Sequence, residues 1–185
     1  IRANTANGAI TDVEGIAVTV TTTSDASQFA AILTAATANQ ANGTVAGAVS
    51  DAVGSLTNVT LTGATSVTAV ITDGTKDLTG TTLDSEVTIL DLATNQVQGA
   101  IFDVSDINGR TILDTNATFT VKDSATTLAA NTSLINGKAV VIDDTNNTAA
   151  TVSELNAIQA VASSVTYTKL RDSSANIRAN VDLNG

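Results

Sequence analysis

The chain has 185 residues, enough for one ordinary domain or for several small stacked units sharing a core. It contains no Cys, His, Met, Trp or Pro, which removes the usual nucleophile–base pairs, zinc and haem ligands and thiol chemistry. A formal net charge of −10 argues against nucleic acid and anionic membrane as partners, since both need a basic surface, and no apolar run approaches the length of a membrane span.

Thr and Ala dominate the composition. Branched Thr suits a pleated strand, and Ala lets layers approach closely. The expected elements follow from hydrophobic spacing. Ile16–Val20 alternates as a strand. Ser24-Asp25-Ala26-Ser27 then opens a helix with Phe29, Ile32, Leu33 and Ala36 on one face, its hydroxyl and carboxylate being N-cap candidates. Val45 and Val49 lead to Asp51, and Leu56 lies five residues beyond. Val67–Ile71 reads as a strand running into Asp73 and Leu78. Val87–Leu90 is a further strand. The segment from Ser105 to Thr115 is less helical because it contains Asn108-Gly109. Thr118–Val121 runs into Asp123, with Leu128 five residues on, and Ala139–Ile142 is another strand. A second helix starts at Thr151-Val152-Ser153-Glu154 and turns Leu155, Ile158 and Val161 or Ala162 to one side. Val165–Leu170 then leads to Asp172, followed by Ile177.

These segments repeat. Val104 to Asn131 aligns with Val152 to Asn180. Each opens Val-Ser, carries an aromatic fifteen residues later (Phe119, Tyr167), and continues with a basic residue, Asp-Ser, an aliphatic and an Asn. The anchor pairs are Asp51/Leu56, Asp73/Leu78, Asp123/Leu128 and Asp172/Ile177. Four units follow, approximately 1–58, 59–80, 81–131 and 132–180, with 177–185 re-entering the next repeat, because Ile177-Arg178-Ala179-Asn180 copies Ile1-Arg2-Ala3-Asn4 at an offset of 176. The expected fold is a β-rich α/β repeat, strand–short helix–strand units stacked as a solenoid-like array, with an all-β solenoid or β-sandwich as the alternative. The aliphatic member of each pair is expected in the core, and its Asp in a turn accepting backbone N–H bonds.

The phrases Thr151-Val152-Ser153-Glu154-Leu155-Asn156-Ala157 and Tyr167-Thr168…Asp172-Ser173-Ser174-Ala175-Asn176-Ile177 resemble a repeat of very large bacterial, prominently cyanobacterial, cell-surface proteins. Its typical form is a TVxxxNAL segment followed by TYxxSDTAANL. The resemblance implies an extracellular structural role and supplies no catalytic residues.

Calcium is the ligand that residue types favour, at Asp103 and Asp106 in one short loop and at Asp143 and Asp144 in another, since hard cations take oxygen ligands. Neither loop has EF-hand spacing. The expected function is a structural subunit or repeat segment of an extracellular filament, surface layer or adhesin stalk, with copies of itself or adjacent repeats as partners. A glycan-binding or cell-adhesion module, calcium-assisted, is the alternative. An enzyme is not expected.

Overall fold

Parallel strand pairs need crossover connections, and the Thr/Val-rich runs here alternate with short helices and turns that provide them. The computed structural model describes residues 18–38, 45–51, 60–61, 64–72, 77–80, 82–145 and 149–180. Its strands are β1 (Val18–Ser24), β2 (Val45–Asp51), β3 (Ala64–Ile71), β4 (Val87–Asp91), β5 (Gln98–Phe102), β6 (Thr111–Leu113), β7 (Thr118–Asp123), β8 (Ala139–Ile142) and β9 (Ser164–Thr166). Its helices are α1 (Ala26–Ala38), α2 (Val104–Ile107), α3 (Ala125–Ala130), α4 (Val152–Gln159) and α5 (Ser174–Asn180). The fold is mixed α/β with two small parallel sheets, and the all-β alternative does not hold.

The chain forms two compact units. The first comprises Ile1–Lys76, Thr81–Gln98 and Gly109–Thr118. It contains a five-stranded sheet in the order β1-β2-β3-β4-β6. The pairs are parallel, with partners 19 to 27 residues apart along the chain: Val18 faces Val45, Val45 faces Ala64, Val67 faces Val87 and Ile89 faces Thr111. α1 lies on β1 and β2 and buries Phe29 and Leu33 as its spacing requires. β3 buries Ala64, Val67, Ala69, Val70 and Ile71, and β4 buries Val87 and Leu90. Thr65 and Ser66 are exposed, but from Val67 to Ile71 burial is nearly continuous, the pattern of a strand covered on both faces. Arg110 locks the next turn: its Nε donates to the Val87 carbonyl at 2.9 Å and its Nη2 to those of Leu83 and Asp84 at 3.1 Å each.

The second unit comprises Asp77–Gly80, Gly99–Asn108 and Phe119–Gly185, and its four-stranded sheet has the order β5-β7-β8-β9. Thr120 faces Ala139, and Ala139 faces Ser164, again parallel. Two isolated parallel bridges, Asp77 with Ile101 and Ala150 with Leu170, extend the same directionality. Its core contains Phe102 and Phe119 edge-to-face at 5.6 Å and also buries Val121, Leu128, Ile135, Val140, Ile142, Leu155 and Ile158. The Lys138 ammonium lies over the Phe119 ring, 4.6 Å from its centroid.

Two local expectations are corrected. The residues after the Asp-Ser pairs form helical turns, α3 and α5, where a plain turn was expected. Ser124 and Ser173 cap them, their hydroxyls accepting from the amides of Thr127 and Asn176. β9 also stops at Thr166 instead of reaching Leu170, because Thr168 and Lys169 turn their amides to a carboxylate instead of the sheet. Asp73 and Leu56 lie outside the described residues. Asp51 closes β2, opposite Ile71.

Candidate functional site

Two of the anchor aspartates share one arrangement. Asp123 closes β7 and accepts from the Ser124 amide with Oδ1 (2.7 Å) and from the Val104 amide with Oδ2 (3.2 Å). Asp172 does the same, with Oδ1 on the Ser173 amide (2.7 Å) and Oδ2 on the Val152 amide (3.0 Å). Val104 and Val152 are the first residues of α2 and α4. Each carboxylate therefore satisfies one otherwise orphaned helix amide while bracing its own turn. The closing Asn residues also match, with the Asn131 and Asn180 side-chain amides donating to the carbonyls of Thr127 and Asn176. The interval from Asp123 to Asp172 covers two strand steps, β7 to β8 to β9.

Other carboxylates form similar cross-chain bonds without having been expected to. Asp84 Oδ2 accepts from the Leu61 amide at 3.0 Å and Asp103 Oδ2 from the Gly80 amide at 3.3 Å, each 23 residues back. Asp144 reaches forward instead. Its Oδ2 takes the Thr168 amide (2.8 Å) and hydroxyl (2.7 Å) and the Lys169 amide (2.9 Å). Sequence spacing did not reveal these bonds, although Asp103 and Asp144 stood among the calcium candidates, because no repeated neighbour accompanies them.

The helices of the second unit form a seam. α3 packs on α4, and α4 on α5. The Thr126 hydroxyl donates to Glu154 Oε1 at 2.7 Å, and the Asn156 side-chain amide to Asn180 Oδ1 at 3.2 Å. Glu154 Oε2 meanwhile completes a capping box with Thr151. Burial falls off along the seam: Leu128 is fully buried in α3, and Leu155 and Ile158 are buried in α4, whereas α5 buries no residue and Ile177 is half-exposed.

Two open pockets lie in this unit. One, of about 270 Å³, is lined by Thr79, Gly80, Asp103, Lys122, Asp123, Ser124 and Asp143. The other, of about 280 Å³, is lined by Lys122, Val141, Ile142, Asp143, Asp144, Thr145, Thr168 and Lys169. Lys122 pairs with Asp77 at 3.2 Å. Of the four expected calcium ligands, Asp103 and Asp143 share the first pocket, and Asp143 and Asp144 the second. Asp106 is buried in the α2 capping box with Asp103. Among the described residues no three acidic groups are placed to hold a metal ion.

Hydrogen-bond donors depress several carboxyl pKa values. At Asp172 they are the Asn176 side chain and the Ser173 and Val152 amides, at Glu154 the Thr151 amide and Thr126 hydroxyl, and at Asp143 the Thr145 hydroxyl and amide. At Asp144 burial pushes upward, and the Thr168 and Lys169 donors outweigh it. Hydrogen-bonded this way, the carboxylates are structural anions.

Comparison of the chain with protein-family models, curated proteins and solved structures returns no match.

Proposed function

We propose that this chain is a repeat-built structural segment of an extracellular bacterial filament, surface layer or adhesin stalk. In this reading its units stack one on the next as a solenoid-like array and bind copies of themselves or adjacent repeats. The single observation that carries it is the duplicated Asp latch: Asp123 and Asp172, at matching places in the two copies of the repeated phrase, hold the same donors with the same two oxygens. A binding or catalytic site needs one set of groups in one place, whereas an array needs the same joint at each step. The parallel pairings support the same reading, because paired residues in the β1–β2, β2–β3, β3–β4, β4–β6, β7–β8 and β8–β9 steps lie 19 to 27 residues apart. The hydrated Thr/Asn/Asp surface and net charge of −10 suit solubility in an external medium. Among the described residues no helix is long and apolar enough to cross a membrane.

Electron microscopy of the natively isolated protein, in calcium and again after chelation, tests this function. Filaments or sheets with a regular axial repeat are expected. Monodisperse globular particles under both conditions would refute the assembly role.

A further inference from the structure

The half-exposed Ile177 of α5 occupies the position that Leu128 occupies in α3, five residues after the latch aspartate in each case. Leu128 is fully buried, and α3 is packed against α4. Ile177 belongs to a helix with no buried residue. Among the described residues β9 likewise ends the order of its sheet, so one side carries backbone groups not paired within it. Both features describe a step whose next neighbour is not one of the elements already placed.

The sequence indicates what that neighbour is. Ile177-Arg178-Ala179-Asn180 repeats Ile1-Arg2-Ala3-Asn4, which sets a period of 176. α3 begins at Ala125 and α4 at Val152. The same interval carried forward from Ser174, where α5 begins, reaches Asp25 of the following period, and α1 begins at Ala26. The local chemistry of α1 also matches that of α4. Asp25 accepts from the Gln28 amide at 2.8 Å, as the Thr151 hydroxyl accepts from the Glu154 amide at 3.2 Å. The apolar residues fall four and seven places after the cap in both, Phe29 and Ile32 in α1 and Leu155 and Ile158 in α4. Ile158 is fully buried while Ile32 is only half-buried. One half-exposed aliphatic thus remains on each of the two helices that the period brings together. Among the described residues β1, which precedes α1, is itself an edge strand. Val18 of the next period follows Ser164 at nearly the interval that separates the paired Val18 and Val45.

We propose that the outer face of α5 and the open edge of β9 receive β1 and α1 of a second copy of this sequence, joined in tandem at the 176-residue period, with α1 seated on α5 as α4 is seated on α3. The tandem form is set by the shared phrase, since Ile177–Asn180 repeats Ile1–Asn4 at an offset of 176. This proposal rests on the stacked-repeat reading above and assigns the joint between its periods.

The test uses a chain of two copies joined at this period. The protein has no native cysteine, so paired cysteines report unambiguously. One pair, Ala175→Cys in the first copy and Gln28→Cys in the second, spans the proposed joint at exposed positions. A control pair, Thr126→Cys and Glu154→Cys, sits where the α3 and α4 side chains already touch. Mild oxidation followed by non-reducing electrophoresis and peptide mass spectrometry is expected to show both disulfides within one chain. A control disulfide without the joint disulfide would overturn this proposal and leave the stacked reading standing. Loss of both would overturn the stacked reading as well. A joint disulfide found only between separate chains would refute the tandem occupant. In the cysteine-free two-copy chain, amide exchange of the first copy's α5 should slow by about tenfold or more relative to the single copy, and equal rates would refute the seating.

Discussion

The equivalence of Leu128 and Ile177 makes a quantitative prediction, because the two side chains hold the same place in the motif under different cover. Leu128→Ala deletes three carbons from a fully buried site. At about 0.8 kcal/mol per buried carbon group the transfer loss is about 2.4 kcal/mol, and a residual cavity raises the total to about 3–4 kcal/mol. Ile177→Ala deletes the same number of carbons from a half-exposed site, so the loss should be about 1 kcal/mol. The chain supplies its own reporter: Tyr167, the one tyrosine in a chain without tryptophan, lies in the second unit and is 40% exposed. Urea unfolding followed by its fluorescence should show the midpoint falling by about 3–4 M for Leu128→Ala and by about 1 M or less for Ile177→Ala, taking a slope near 1 kcal/mol per molar for so small a unit. Equal losses at the two positions, or a loss below about 1 kcal/mol at Leu128, would refute the packing argument.

Further outcomes follow from the hydrogen-bonded carboxylates and one turn. The pKa values of Asp143, Asp144 and Asp172 lie below the ordinary 3.8, and that of Glu154 below 4.5. Their contribution to stability is therefore complete above those ordinary values and is lost as pH falls through the lowered folded ones. The urea midpoint should hold from neutral pH down to about 4.5 and fall below about 4, and a midpoint constant to about pH 2.5 would contradict this. Asp123→Ala should cost about 1–3 kcal/mol, and Asp172→Ala should lower the urea midpoint in the same direction. Amide exchange should accelerate first at Val104 in the one variant and at Val152 in the other; faster exchange spread evenly over the unit would speak against the latches. Gly137 has φ of +71° with nothing within reach of an added Cβ, so Gly137→Ala should cost about 1–2 kcal/mol from backbone strain alone, visible as a lowered thermal midpoint.

Much of the architecture was legible where period and cap agreed. β4 and β8 carry Val-rich runs, and α1 and α4 pair a capping side chain with aliphatics at helical spacing, so pattern and structure coincide there. The duplicated phrase around Asp123 and Asp172 also located the latch, because its donors, Ser and the Val of Val-Ser, were part of the repeated text. β2, β5 and β6 did not stand out as strands. β5 and β6 are short, Gly interrupts β2 and β5, and their identity depends on the neighbours they pair with. The helical turns α3 and α5 were hidden by their Ser, Thr and Asn content, which reads as turn until the capping hydroxyl is seen in place. The Asp84, Asp103 and Asp144 bonds were illegible for a different reason. Their partners are backbone amides, and a backbone amide has no letter in a sequence.

Those cross-chain bonds are also short in sequence. Asp84 to Leu61, Asp103 to Gly80, Asp123 to Val104, Asp144 to Thr168 and Asp172 to Val152 close loops of 19 to 24 residues, and the strand registers close loops of similar size. Closing such a loop costs little entropy, and a chain whose contacts are this local can form each turn as soon as the one before it is in place. Order can therefore advance along the polypeptide from one end as it is made, with only the growing tip unfinished at any moment.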